Sequence, residues 1–175
     1  WLQVNTIYTY VDVPSKAQTE YANTMPFFLI ESRYENEAMP EGTEQHARVQ
    51  AYQALLTGAM GQVFGNSPIW HFNGPGVYGS SPADWKLWLN SPGAQSMVNV
   101  KSLFASRAWG TLLPDTSNTL LTNGSVGSGA PYDRAVAAKA SDSSFAIVYM
   151  PSTRTVTLDL GQLAGPKVTA RWYDP

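Results

Sequence analysis

An apolar run, Pro26-Phe-Phe-Leu-Ile30, ends in a carboxylate, Glu31, and then in a polar loop, Ser32-Arg-Tyr-Glu-Asn-Glu37. A parallel strand covered on both faces reads as continuous hydrophobe rather than as alternation. In (β/α)8 barrels the reacting groups stand at the C-terminal ends of such strands, where the loops begin. Glu31 is therefore the first candidate for a catalytic carboxylate, and a structural carboxylate at a strand end is the competing role. Arg33 and Arg48 are near enough in sequence to orient it, although strand-end arginines also serve simply to pin loops.

Composition narrows the chemistry. The chain has 175 residues, a net charge of −2 and 14% charged residues, so no basic surface points to nucleic acid. It has no Cys, which removes disulfide, thiolate and zinc-ribbon chemistry. With His46 and His71 as the two histidines, a protein-built metal site is not expected, nor is any cofactor. Six Trp and nine Tyr are an aromatic surplus that suits stacking on sugar faces, while core packing must account for most of them. No run is long enough to span a bilayer. No signal peptide is visible before Trp1, and the composition suits a secreted or periplasmic carbohydrate-active protein.

The elements that would position Glu31 follow from periodicity. Leu2 to Tyr10 reads as a strand, Ser15 to Asn23 as a helix introduced by Pro14, and Pro26 to Ile30 as a second strand. Thr43 caps a helix whose apolar stripe is Ala47, Ala51, Leu55 and Ala59, widened by Tyr52 and Leu56 and ended by Gly58 and Gly61. Gln62 to Gly65 reads as a third strand leading to Ile69-Trp-His-Phe72. Such alternation is the grammar of βαβ units and a parallel sheet. A Gly/Ser/Pro-rich loop from Asn73 to Pro82 precedes helices over Asp84–Leu89 and Ala94–Ser106. Beyond Leu113-Pro-Asp115 the pattern becomes that of short strands, expected over Arg134–Lys139, Phe145–Tyr149, Thr155–Leu160 and Val168–Tyr173, with turns at Asp142–Ser144 and Pro151–Thr153. The expected organisation is an α/β unit over 1–112 and an all-β unit over 113–175.

In order along the chain, Ile7-Tyr-Thr-Tyr10, Pro26 to Glu31 with Tyr34-Glu35, Arg48-Val-Gln-Ala-Tyr52, Leu55-Leu-Thr-Gly-Ala59, Phe64-Gly-Asn66 and Ile69-Trp-His-Phe72 resemble the C-terminal part of apiosidase-like glycoside hydrolases. Ser91-Pro-Gly-Ala-Gln95, Leu103-Phe-Ala-Ser-Arg107 and Leu112-Leu-Pro-Asp115 extend the likeness. Ala146-Ile-Val-Tyr149, Leu158-Asp-Leu160 and Ala170 to Pro175 resemble the small β domain, labelled collagen-binding, that follows such barrels. The resemblance implies the last part of a (β/α)8 barrel, about three βα units, followed by a small antiparallel β-sandwich-like domain.

The same resemblance makes Glu31 the nucleophile of a retaining glycosidase, at the end of the seventh barrel strand. It makes Tyr8 or Tyr10 a hydrogen-bonding partner of that carboxylate, and Trp70, at the end of the eighth strand, the floor of the sugar subsite. His71, Arg33 and Tyr34 complete the candidate substrate-binding residues. Where this chain has Tyr8, relatives often carry His. Hydrolysis of this kind uses two carboxyl groups, about 5–5.5 Å apart when one is a nucleophile. A tyrosine hydroxyl donating to the nucleophile would favour its ionised form and fix its orientation. In such barrels the acid/base belongs to an earlier strand, and Asp12, Glu35 and Glu37 are the acidic residues closest to the strand ends here.

Two functions of different class are open at this point. One is hydrolysis of plant or microbial polysaccharide, apiose-containing pectin and β-glucans being equally compatible. The other is a noncatalytic carbohydrate-binding fragment whose stacking surface is Trp70, Tyr78, Trp85 and Trp88. Exposed edges of a partial barrel pair with whatever is available, so a second chain or a second copy is expected to complete it, with an oligosaccharide or polysaccharide as the other partner and neither nucleic acid nor membrane among them.

Overall fold

In a computed structural model, which describes residues 3–37, 41–72 and 85–175, the apolar run before Glu31 forms strand β2 (Phe27–Glu31). It lies parallel to β1 (Asn5–Tyr8), in register Asn5 with Phe27 through Ile7 with Leu29. The register then slips, so that Tyr8 stands opposite Glu31. Helix α1 (Val13–Tyr21) makes the crossover, its N-terminus capped by Asp12 Oδ1, which accepts from Ser15 N at 2.9 Å, with Pro14 in the first turn where its missing N–H does no harm.

Helix α2 (Glu44–Leu56) begins at Thr43, as the sequence indicates, and eight of its thirteen residues are buried. After Gly58, which adopts the left-handed φ of +102° that ends the turn, the chain runs alongside β2. Met60 N donates to Phe27 O at 2.8 Å, Leu29 N to Gly61 O at 3.1 Å and Val63 N to Leu29 O at 2.9 Å. The expected third strand over Gln62–Gly65 is thereby reduced to isolated parallel bridges, Leu29 with Gln62 and Glu35 with Asn66. Between the two bridges the Arg33 N–H and carbonyl go to the Gln50 side chain, and the Tyr34 ring covers Gly65 so closely that a Cβ there would come within 2.3 Å of it. The pairing resumes beyond it, where Glu35 N donates to Gly65 O at 2.9 Å and Ser67 N to Glu35 O at 2.9 Å.

The chain next forms α3 (Ser67–His71), so Trp70 sits on a short helix rather than at a strand end. The loop expected over 73–82, with Tyr78, lies outside the described residues, as does Asp84. The helix expected over 84–89 is a 3-10 turn, Trp85–Trp88, and α4 (Pro92–Ala105) follows, capped by Ser91. The α/β part is thus barrel-like and open: among the described residues, no strand pairs with the other edge of β1.

The C-terminal part is antiparallel. β3 (Leu112–Pro114), β5 (Val136–Ala140) and β6 (Ala146–Tyr149) form one sheet in that order, and β4 (Leu121–Asn123) pairs with β7 (Thr157–Leu158) in another. Leu120, Leu121, Ala135 and Ala137 pack with Val148, Val156 and Leu158 between them. The strand expected over Val168–Tyr173 is absent. Its alternating pattern finds no core face to cover: Trp172 is 90% exposed, and the segment is held instead by Tyr173, whose hydroxyl donates to Asn99 O on α4 at 2.9 Å.

The two parts share a core. Val49, Tyr52 and Leu56 of α2 and Val100 and Phe104 of α4 close on Val136, Ala138 and Tyr149 of the sheet. The rings of Tyr52 and Tyr149 stack at 4.4 Å with an interplanar angle of 6°. The Tyr52 hydroxyl is buried without a partner among the described residues, which costs about 1–3 kcal/mol. Removing roughly 150–250 Å² of ring from water at about 25 cal/mol/Å² outweighs that cost.

A second polar clip holds the 3-10 turn Pro131–Asp133. The Asp133 carboxylate pairs with Arg154, accepts from Ser152 Oγ at 2.7 Å and from Ser128 N at 2.6 Å. Burial opposes its ionisation, yet these hydrogen bonds and the guanidinium prevail and hold it down at about 2. A carboxyl depressed on folding stabilises fully above its unfolded value near 3.9 and loses that contribution as pH falls toward the folded value. Asp133→Asn should therefore cost about 2 kcal/mol at neutral pH and almost nothing near pH 2. Urea unfolding across that window checks it; an equal loss at both pH values would show that Asp133 acts by shape rather than charge.

Candidate active site

The end of β2 gathers the groups that the sequence singled out. Tyr10 reaches back from the loop after β1 and donates its hydroxyl to Glu31 Oε1 at 2.8 Å. Of the two tyrosines expected to fill that role, Tyr10 makes the bond, and Tyr8, 61% exposed, flanks it with ring centroids 5.5 Å apart. Thr9 N donates to Glu31 O at 3.1 Å, so the backbone of the same loop is fixed to the residue whose carboxylate Tyr10 holds. Burial pushes the Tyr10 phenol well above its ordinary value, and the bond to Glu31 and the nearby Glu37 add to the effect. Tyr10 therefore stays protonated and remains a donor.

Arg33 does not orient the carboxylate. Its Nε donates to Tyr10 O at 3.1 Å, and its Nη1 donates to Glu41 O at 3.3 Å and lies 3.3 Å from His46 Nε2. The Arg33 backbone is held from both sides by one side chain: its N–H donates to Gln50 Oε1 at 2.9 Å and its carbonyl accepts from Gln50 Nε2 at 3.0 Å. Arg48 points elsewhere, donating to Ser96 Oγ at 3.4 Å, and its role is structural. Burial and the adjacent Arg33 lower the pKa of His46, which keeps the imidazole neutral, and its Nδ1 accepts from Thr43 N at 3.3 Å.

Tyr34 and Trp70 form an aromatic corner, with ring centroids 6.4 Å apart at 88°. Trp70 is 51% exposed, and His71 stands beside it at 4.7 Å. Burial raises the Tyr34 phenol, as do the charges of Glu31 and Glu37, which places Tyr34 within the field of the same carboxylates. Trp85 and Trp88 share one face of a 3-10 turn, half-buried, and Trp85 lies 5.2 Å from Phe72.

The three acidic residues close to the strand ends have distinct duties. Asp12 caps α1. Glu35 is buried and accepts from Ser91 Oγ at 2.5 Å, Asn66 Nδ2 at 2.9 Å and Gly93 N at 2.9 Å. It thus ties the loop after β2 to α3 and to the N-terminus of α4, an end that favours negative charge. Glu37 accepts from Tyr34 N at 3.0 Å, and its carboxyl is raised by burial and by Glu31 against the opposing pull of that bond and of Arg33. The Glu35 clip was not legible beforehand, although Ser91-Pro92 announces a helix start that needs anions.

Residues 1–111 match the family model described as "Apiosidase-like, catalytic domain". The chain belongs to the apiosidase-like family. Residues 114–175 of the apiosidase-like chain match the model described as "Putative collagen-binding domain of a collagenase". Among solved structures, a glycoside hydrolase family 5 protein from Bacteroides vulgatus superposes with a TM-score of 0.75 and 24% identity, over 88% of this chain and 35% of that one. A second, described as a glycoside hydrolase, gives a TM-score of 0.71 and 26% identity, over 88% of this chain and 36% of that one. The apiosidase-like chain thus spans about a third of the length of these structures. No curated protein matches it. Among the described residues no helix is long and apolar enough to cross a membrane.

Glu35 carries a prediction for stability. Glu35→Ala takes the acceptor from the Ser91 hydroxyl and the Gly93 N–H, while Asn66 Nδ2 keeps Ser91 Oγ at 3.3 Å, and should cost about 3 kcal/mol, measured by urea unfolding. A loss below about 0.5 kcal/mol, typical of exposed positions, would show that the clip is not needed.

Proposed function

We propose that this chain carries part of the catalytic site of a retaining glycoside hydrolase acting on O-glycosidic bonds of plant or microbial polysaccharide, with Glu31 as nucleophile. The observation that supports this most directly is the Tyr10 hydroxyl on Glu31 Oε1 at 2.8 Å, at the C-terminal end of a parallel strand in an apiosidase-like chain. A nucleophilic carboxylate must present one oxygen to the anomeric carbon and keep its charge. A tyrosine whose own proton is retained by burial fixes one oxygen of that carboxylate.

Around it, Tyr8, Tyr34, Trp70 and His71 supply the rings and polar edges of a sugar subsite, with Trp70 as its floor. Arg33 acts at one remove, through Tyr10. Asp12 and Glu35 are occupied as caps and Glu37 by the Tyr34 amide, so the acid/base is assigned to strands that complete the barrel. We assign those strands to a second chain or a second copy of this one, with the α/β part ending near residue 112 and the β part following it as a supporting domain. The site faces the outside of a bacterial cell in this reading.

Glu31→Gln should reduce turnover of aryl glycosides and pectic or β-glucan oligosaccharides by at least about 10³-fold while leaving glycan affinity nearly intact. Tyr10→Phe should lower kcat by about 10–100-fold with KM little changed. If Glu31→Gln retains turnover, the hydrolase reading fails, and if glycan affinity persists alongside, the noncatalytic carbohydrate-binding reading replaces it. Light scattering on the native protein should give a particle larger than one 19.1 kDa chain; a monomer of that mass would overturn completion of the barrel by a partner.

A further inference from the structure

The Arg33 guanidinium is enclosed from a direction that the barrel elements do not supply. Tyr132, in the 3-10 turn Pro131–Asp133 of the β part, places its ring 5.9 Å from Arg33 Cζ and 5.1 Å from the His46 ring, at 77° to it. A cation over an aromatic face is attracted to it, and an arginine so covered keeps one rotamer. The turn that carries Tyr132 is itself immobilised. Gln53 Nε2, buried on α2, donates to Pro131 O at 3.0 Å and to Arg134 O at 2.9 Å, and the Asp133 cluster holds the residue between.

We propose that Tyr132, from the β part, is a positioning residue for the Glu31 site, acting through Arg33 and Tyr10. The path is continuous: Tyr132 covers Arg33, Arg33 Nε holds Tyr10 O at 3.1 Å, and the Tyr10 hydroxyl holds Glu31 Oε1 at 2.8 Å. Without the ring, the guanidinium gains freedom to leave the Tyr10 carbonyl, and the loop over residues 9–12 loses its outer anchor. The β part then acts on the reacting carboxylate without touching substrate. This inference rests on the reading of Glu31 as nucleophile for its consequence in catalysis, and on geometry alone for its consequence in the loop.

Tyr132 is 45% exposed, so its replacement should leave the fold intact. The test compares Tyr132→Ala with Tyr132→Phe, which keeps the ring, in the native particle. Hydrogen exchange is read at Thr9, Val11 and Asp12, whose amides donate to Glu31 O and Thr9 Oγ1, and at the amides of β5 and β6 as an internal standard. Tyr132→Ala should speed exchange in the loop about tenfold with β5 and β6 unchanged, and Tyr132→Phe should behave as wild type. Wild-type exchange in the alanine variant overturns the proposal, as does equal acceleration everywhere. On the aryl glycoside that the wild type turns over fastest, Tyr132→Ala should lower kcat about tenfold at constant KM, with Tyr132→Phe restoring it. An unchanged kcat with a loosened loop overturns the catalytic consequence. A wild type without turnover instead overturns the hydrolase reading and leaves the loop measurement to decide the positioning role.

Discussion

The side-chain amide of Gln50 is bound at both ends to a single residue, its oxygen accepting from Arg33 N and its nitrogen donating to Arg33 O. It does for the chain leaving β2 what a neighbouring strand would do, satisfying both backbone groups of a residue that has no ladder partner of its own. One turn further along α2, Gln53 gives both amide hydrogens to carbonyls of the 131–134 turn. Neither glutamine could be replaced by an apolar residue of similar size without stranding buried groups, at about 1–3 kcal/mol for each. The helix between the two parts therefore fixes the loop beside Glu31 and the turn beside Tyr132 from one rigid element. The positions of Arg33 and Tyr132 relative to each other follow from that.

Glu35 shows the same economy in a different form. A buried carboxylate is expensive unless its oxygens are occupied. Here the donors are a cap serine, an amide and a helix-terminal N–H. Gly93 is required for this approach, since a Cβ there would come within 2.6 Å of Glu35 Oε2. The arrangement secures α3, and with it Trp70, to the loop that carries Tyr34. The aromatic corner is thus held by charge-assisted hydrogen bonds beneath it rather than by ring contacts alone.

Local signals were read well where one element decides them. The unbroken run before Glu31 specified a parallel strand, Thr43 and Pro14 marked helix starts, and the change near Leu113 marked the passage to antiparallel structure. The signals failed where distant residues decide. Gln62–Gly65 has strand composition, but it pairs only through isolated bridges, because between them the Arg33 backbone is bonded to Gln50. Val168–Tyr173 alternates as a strand should, and it joins none of the sheets formed by the described residues. In the site, Glu31 and its tyrosine partner were visible as types at a strand end, whereas for Arg33 orienting the carboxylate and pinning a loop were both open, and its Nε bonds the Tyr10 carbonyl. His46 and Tyr132 carried no signal, because their roles exist only once the β part has docked.

That docking has a consequence for how the chain reaches its native state. Gln45 on α2 bonds the carbonyl of Pro151, 106 positions away, and Gln53 bonds Arg134, 81 positions away. Contacts so remote in sequence cannot reward the chain until most of it has collapsed, and the loop-closure entropy must be met first. Helix α2 has its surface divided between two sheets, so neither sheet alone covers it. Strands β5 and β6, far downstream, complete the seat of a helix made long before them, and until they arrive Val49, Tyr52 and Leu56 of α2 lack the sheet side of their core. The order of synthesis thus leaves the core shared by α2 and α4 unfinished until the C-terminal sheet has been made.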